Sequence, residues 1–282
     1  ENLIKALSKT WVIQRLRQIE LSAVPTWIGS KVATASRYQH SINVGKISLL
    51  VSGDDKDEQL LLTAAATLHD VGVGPFPHLS DQAMREVLGF SHEGAVEFAF
   101  ERSPLKDFKV LENHGLNLAE IASVIEGEHK LSRFLHGFPD LDNADNIYRF
   151  ITSIPGRPLG EPSYRPSEIA SLMSLEDEDK PLPEELKKRW AEDFRKVYSY
   201  LWNDRLNMIG WTMLGRALRL LKDELTPKFF RLTNKEAFQL IKMKLPRLAE
   251  GLERREYRIV FDRKYVEFKG EAQKLSDMTE IR

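Results

Sequence analysis

The 282-residue chain is 42% hydrophobic and 29% charged with a formal net charge of −1, enough apolar material for one large domain or a domain with an appendage. It has no cysteine; this excludes disulfides and thiolate ligands, leaves any metal to His, Asp or Glu, and fits a cytoplasmic protein. No apolar run approaches a membrane span, and the near-zero net charge gives no global case for a nucleic-acid partner.

Most segments follow a helical period. Apolar residues at Leu3, Leu7, Trp11 and Ile13 through Leu21, then Ile42 through Leu50 and Leu60 through Leu68, recur at helix-like intervals. The charged run 54–58 reads as a loop and helix start. Further helices are predicted over 79–88, 91–101, 117–126, 142–152, 184–202 and 205–224. Segment 153–183, with six prolines and the acidic run 176–179, reads as a surface excursion or lid, since helices resume after it. Tyr164-Arg165 within it would suit a lid over a base and a phosphate, a plain surface loop being the simpler reading. Trp190, Trp202 and Trp211 recur among apolar residues and read as core rather than as base-stacking surfaces.

Between Gly215 and Lys269 there are 15 Lys/Arg against 8 Asp/Glu. This basic stretch reads as a solvated face rather than a polyanion site. Tyr257 to Phe261, a turn, then Tyr265 to Phe268 alternate as a β-hairpin. The expectation is a mainly α protein: a helical domain over 1–225 and a C-terminal α+β appendage over 226–282.

The chemistry concentrates in the N-terminal half. The stretch TLHDVGVGPFPH, 67–78, ends an apolar helix in His69 and Asp70 and then runs into glycines and prolines. A buried His-Asp pair is costly unless each group has a partner. His40, His92 and the Asp-rich stretch PDLDNADNIYRF at 139–150 are the other sources of ligand-type side chains. Consecutive helical residues diverge by roughly 100°, so both His69 and Asp70 could reach an ion only if it lay off the helix end, between helices. A mixed His/Asp set would leave positions open for water and phosphate on a Mn-, Fe-, Co- or Mg-like ion. His114, His129 and His136 read as structural or exposed.

In this order the motifs resemble those of the HD superfamily of metal-dependent phosphohydrolases, and more narrowly its deoxynucleoside triphosphate triphosphohydrolase branch. The resemblance rests on Gln14-Arg-Leu-Arg-Gln-Ile19, Ser36 through Val44, Ala66 through His78, His92-Glu93 and Asp140 through Arg149, and covers roughly 11–222. It implies an HD-domain helical bundle and one divalent metal held by His40, His69, Asp70 and Asp142, with Asp145 competing for the last place. It implies a phosphate side made of Arg37, His78, Asp145 and Arg149, and an acid/base group His92 oriented by Asp81, with Asp70 also catalytic. The implied reaction is hydrolysis of a nucleotide or nucleotide-like phosphate, a (d)NTP among them, by a metal-activated water. Homo-oligomerisation is implied by the resemblance alone.

Three positions depart from the branch. Val73 stands where a second histidine is usual, Leu21 where a glutamine would touch the sugar, and Asn146 where a tyrosine commonly lies against the nucleotide. These departures point to an altered substrate half beside an intact metal half. They also keep open a catalytically altered module that binds a nucleotide and regulates a partner or its own oligomer. Metal-assisted hydrolysis of another bond, such as a nucleobase amine, is a third class.

Overall fold

A computed structural model describes residues 1–29, 31–177 and 181–255. Fifteen α-helices occur among the described residues: α1 (Asn2–Leu7), α2 (Trp11–Arg15), α3 (Arg37–Ser48), α4 (Lys56–Leu68), α5 (Leu79–Leu88), α6 (Val96–Phe100), α7 (Leu105–Glu112), α8 (Leu118–Glu126), α9 (Arg133–His136), α10 (Leu141–Ser153), α11 (Pro166–Ala170), α12 (Glu184–Asn203), α13 (Arg205–Leu220), α14 (Asn234–Lys244) and α15 (Pro246–Arg254). β pairing among them is limited to two isolated bridges, Glu20 with Ser36 and Ser52 with Ser174. The protein is mainly helical, as expected. The hairpin expected at 257–268 lies outside the described residues. No helix among the described residues is long and apolar enough to cross a membrane.

Local chemistry sets the helix starts. α3 begins five residues before its apolar run because Ser36 and Gln39 form a capping box. Ser36 Oγ accepts from the Gln39 amide and Gln39 Oε1 accepts from the Ser36 amide. α4 starts where the charged run predicted: Asp55 accepts from the amides of Asp57 and Glu58 at 2.9 and 3.0 Å. α7 had no expectation behind it, because its eight residues bury little beyond Asp107 and Leu111.

Three cores organise the bundle. The first packs α1 to α4 against α7, α8 and α9, with Leu7, Ile13, Val44, Leu62, Leu68 and Ile125 inside. A second joins Val24, Ile28, Phe76 and Met84 to Leu214, Phe230, Phe238 and Leu252, so residues 226–252 share a core with the N-terminal half. The third gathers α10, α11 and α12 around Ile147, Ile151, Tyr164, Trp190 and Val197.

The lid reading of Tyr164-Arg165 is corrected. Tyr164 is 2% exposed and its hydroxyl donates to the Ala144 carbonyl at 2.6 Å. Arg165 is the N-cap of α11, its amide donating to Glu168. Buried Asp193 ties the excursion down by accepting from the amide and hydroxyl of Ser163 at 2.6 and 2.9 Å, with Lys196 on its other oxygen. Apolar positions Leu186, Trp190 and Val197 recur at helical spacing on α12, which leaves Asp193 facing the same covered side.

α3 and α4 approach closely because Gly45 has no side chain. A Cβ there would lie 2.2 Å from Thr67 Oγ1 and 3.2 Å from Thr67 Cβ. Gly45→Ala is expected to lower stability by about 1–3 kcal/mol. The double variant Gly45→Ala/Thr67→Ala should recover part of that loss; denaturant melts of both, with Thr67→Ala alone as the reference, check it.

Candidate metal centre and adjoining cavity

His40 sits on α3, His69 caps the end of α4, and Asp142 lies in the first turn of α10. One ligand-type atom from each lies within 4.8 Å of the others. The Nε2 atoms of His40 and His69 are 3.2 Å apart, and Asp142 Oδ1 is 2.8 Å from the first and 3.6 Å from the second. Asp70 flanks the group, its Oδ2 3.6 Å from His69 Nε2 and 3.9 Å from His40 Nε2.

Both imidazoles are held in one tautomer from behind. His69 Nδ1 donates to the Ala66 carbonyl at 2.9 Å, and His40 Nδ1 donates to Asp145 Oδ2 at 2.8 Å. Two Nε2 lone pairs therefore face each other beside two carboxylates, and a cation must stand among them. A proton can do so: burial works against charge on His40, but Asp142 and Asp145 prevail and raise its pKa to about 9. A divalent ion fits the same donors better, since imidazoles whose other nitrogen is anchored by a carboxylate or carbonyl are the usual form of a metal-ligating histidine. The donor set thus suits a hard or borderline ion.

Asp145 is not in this cluster. Fully buried, it accepts from His40, Asn43 and Arg149. The geometry puts Asp142 among the converging donors and Asp145 behind His40, and Arg149 behind Asp145. The expected substrate-side placement of Asp145 and Arg149 is corrected on both counts. The i, i+3 spacing of the two aspartates could not reveal which one faces inward.

Arg37 opens α3, 4% exposed, with Nη1 against both oxygens of Asp70 at 2.8 and 3.0 Å. Burial would raise the Asp70 pKa, but Arg37 and the two histidines overcome it and hold the carboxyl at about 2. Arg37 Nη2 donates to His78 Nε2 at 3.1 Å. The arginine expected to face a phosphate freely is already half engaged. His92 and Asp81 are brought together, with His92 Nδ1 donating to Asp81 Oδ1 at 2.9 Å. His78 Nδ1 stands 3.6 Å from the other Asp81 oxygen.

The loop after Asp70 is pinned rather than bent by its glycines. Gly72 lies where a Cβ would meet the His92 carbonyl at 2.2 Å and Ala95 Cβ at 2.7 Å, so its bareness brings the His92 segment in. The positive φ angles belong to Phe76 (55°) and His78 (64°), a strained conformation for residues with side chains. Buried Arg15 donates to the carbonyls of Val71, Val73 and Leu232, and Asn234 Oδ1 accepts from the Phe76 amide. Val73 is 2% exposed and packs in the first core.

Two cavities meet here. One of about 120 Å³ is lined by Arg37, His69, Asp70, His78, His92, Asp142 and Tyr198 among others. The second, about 210 Å³, is walled by Leu21, Phe150, Leu201, Trp202, Met208 and Trp211. Arg37, His78, Asn146 and Tyr198 line both.

Tyr198, Trp202 and Trp211 were not foreseen as cavity residues. The core reading holds for Trp190, 1% exposed, but Trp202 and Trp211 line the second cavity. The available signal was Tyr198 and Trp202 at i, i+4 with Trp211 beyond the helix break at Asp204. His136 lines the first cavity and donates to the Ile125 carbonyl. His114 donates to Val110 and His129 accepts from the Leu131 amide, the structural roles expected of them.

Residues 37–136 match the HD domain, a stretch that includes His40, His69, Asp70, His78, Asp81 and His92. Over 136 residues it is 27% identical to an uncharacterized protein of Methanocaldococcus jannaschii, a stretch covering 48% of this chain and 27% of that relative. Two solved structures share the fold at 17% identity. A hypothetical protein from Aquifex aeolicus superposes with TM-score 0.69 over 90% of this chain and 72% of its own. A phosphohydrolase from Bacteroides thetaiotaomicron superposes with TM-score 0.65 over 89% and 72%.

The Asp81–His92 pair fixes a pH signature. Burial opposes charge on His92, but Asp81 raises its pKa above 6.5. Burial likewise opposes ionisation of Asp81, and the bonds from His78 and His92 overcome it, holding the acid well below 3.8. The histidine's contribution to stability is full below 6.5 and lost as pH rises through its raised value. That of Asp81 is present above 3.8 and lost as pH falls through its depressed one. NMR titration of His92 should give a pKa above 6.5, and Asp81→Asn should bring it down.

Proposed function

We propose that this HD-domain chain is a metal-dependent phosphohydrolase acting on a nucleotide-like phosphate ester or anhydride. The observation that carries the reading is the facing pair of tautomer-locked imidazoles with Asp142 and Asp70 beside them, opening on a cavity that also holds Arg37, His78 and His92. The HD-domain match and the shared fold of a solved phosphohydrolase support it.

His40, His69, Asp70 and Asp142 would hold the ion. When bound there, a divalent ion would supply Lewis acidity toward a phosphoryl oxygen and would make water easier to deprotonate. The chain's own groups do the rest. Arg37 presents a guanidinium at the phosphate side as a charge-assisted donor, oriented by Asp70. His78 stands exposed at the mouth, its Nε2 accepting from Arg37 and its Nδ1 facing Asp81. His92, kept protonated by Asp81, gives its proton to the leaving oxygen as the phosphorus–oxygen bond breaks, and regains one from the attacking water through solvent. Asp145, with Asn43 and Arg149 behind it, keeps His40 Nε2 aimed inward.

Two measurements test this. Purified protein should carry about one first-row metal ion per chain by elemental analysis, lost in His69→Ala. Phosphate release with Mn²⁺, Co²⁺ or Mg²⁺ across a nucleotide panel should fall at least about a hundredfold in Asp70→Ala. Equal turnover by variant and parent would remove the centre from the chemistry.

A further inference from the structure

We infer that the apolar cavity beside the metal cluster seats an aromatic ring, and that the substrate is a monophosphate ester bearing that ring, with nucleoside 5′-monophosphates as the matching chemical class. This rests on the phosphohydrolase reading above and narrows it.

The cavity comes first. At about 210 Å³ it holds the volume of several waters, each taking roughly 30 Å³ in the liquid, enough for one flat heterocycle. Trp202 and Trp211 stand on its wall with ring centroids 6.1 Å apart and planes tilted by 54°. A base that enters such a wall stacks on π-faces without needing a particular hydrogen-bond pattern. Leu21 lines this cavity, so nothing at that position selects a sugar by hydrogen bonding.

The seam comes second. Arg37 and Asn146 border both cavities, so a ligand that spans the two passes a guanidinium and a side-chain amide, which suit the ester oxygens and the hydroxyls of a sugar between ring and phosphate.

Charge comes third. Among the described residues, Arg37 is the one Lys or Arg side chain lining either cavity, and its Nη1 is occupied by Asp70. Glu93 also lines the metal side. Sites that hold a chain of phosphates use several cations along it. One phosphoryl group is what these walls can neutralise. Arg219 and Lys222 line a different groove, which meets the apolar cavity at His78 and Trp211.

The experiment measures kcat/KM of the full chain loaded with Mn²⁺ on nucleoside 5′-monophosphates, the matching 5′-triphosphates and ribose 5-phosphate. The best monophosphate is expected to exceed both its triphosphate and ribose 5-phosphate by about tenfold or more. Trp202→Ala, at a position 41% exposed and so removable with little cost to folding, should raise KM for the monophosphate severalfold with kcat little changed. Asn146→Ala reads the seam independently through a fall in kcat/KM, with thermal melts checking that both variants fold. Preference for triphosphates overturns the inference while leaving the phosphohydrolase reading standing, and points to Arg219 and Lys222. Equal turnover of ribose 5-phosphate overturns the aromatic seat. No turnover of any ester with any metal overturns the phosphohydrolase reading and this inference together.

Discussion

Two imidazole nitrogens 3.2 Å apart, each with its other nitrogen already donating a hydrogen bond, form the contact on which the site depends. Without a cation, two lone pairs and two carboxylates would crowd a largely buried space at the wall of the cavity, where unpaired charge is expensive. The bundle accepts this arrangement because several elements hold it in place. The Gly45–Thr67 approach sets the distance between α3 and α4, the α4 end turns His69 inward, and the Asp140 cap orients the first turn of α10 that carries Asp142. An apolar cluster of the same shape would be easier to fold. Retaining this one argues for a bound ion rather than for stability.

Charge around the centre is arranged in two shells that answer different needs. Behind His40, buried Asp145 is held by Asn43 and Arg149 and fixes one ring. In front, Arg37 and Asp70 form a pair whose members both border the metal-side cavity, so the arginine can turn toward an incoming phosphate without leaving a charge stranded. Asp81 acts similarly for His78 and His92, one oxygen toward each. The expectations for Arg149 and Asp145 placed them in the second group. The structure puts them in the first.

Much of this was legible in the amino-acid order. Helices at 79–88, 117–126, 142–152 and 184–202 follow from apolar periodicity, and the structure ends them within two residues of the expected bounds. The ligand-type residues were also legible, because His, His-Asp and Asp occur at the ends and first turns of separate helices. What could not be read is direction. Asp142 and Asp145 share a helix face in sequence, and only the packing of α3 on α10 decides which reaches the histidines. The same holds for Trp202 and Trp211, whose spacing among apolar residues is that of core side chains, yet both line a cavity on either side of the break at Asp204. Tyr164, among prolines, lacks any periodic signal for the core it enters.

The two halves of the site belong to different parts of the bundle. Metal-side ligands come from α3, α4 and the start of α10, braced by the first core. The apolar cavity is walled by α12 and α13 and by residues 21–23, which lean on the second and third cores. Two of the three departures from the resembled branch, Leu21 and Asn146, line that cavity, whereas Val73 is buried against the first core and reaches neither. A change on the substrate wall therefore leaves the ion's donors undisturbed, since no hydrogen bond links Leu21 or Trp211 to a ligand. Arg37 and His78 are the parts that touch both halves, and the loop carrying His78 is held by buried Arg15 and Asn234 in a strained backbone. On the proposed reading, that bracing fixes the distance between a phosphate at the metal side and whatever group the second cavity holds, so the cavity's shape would select the substrate.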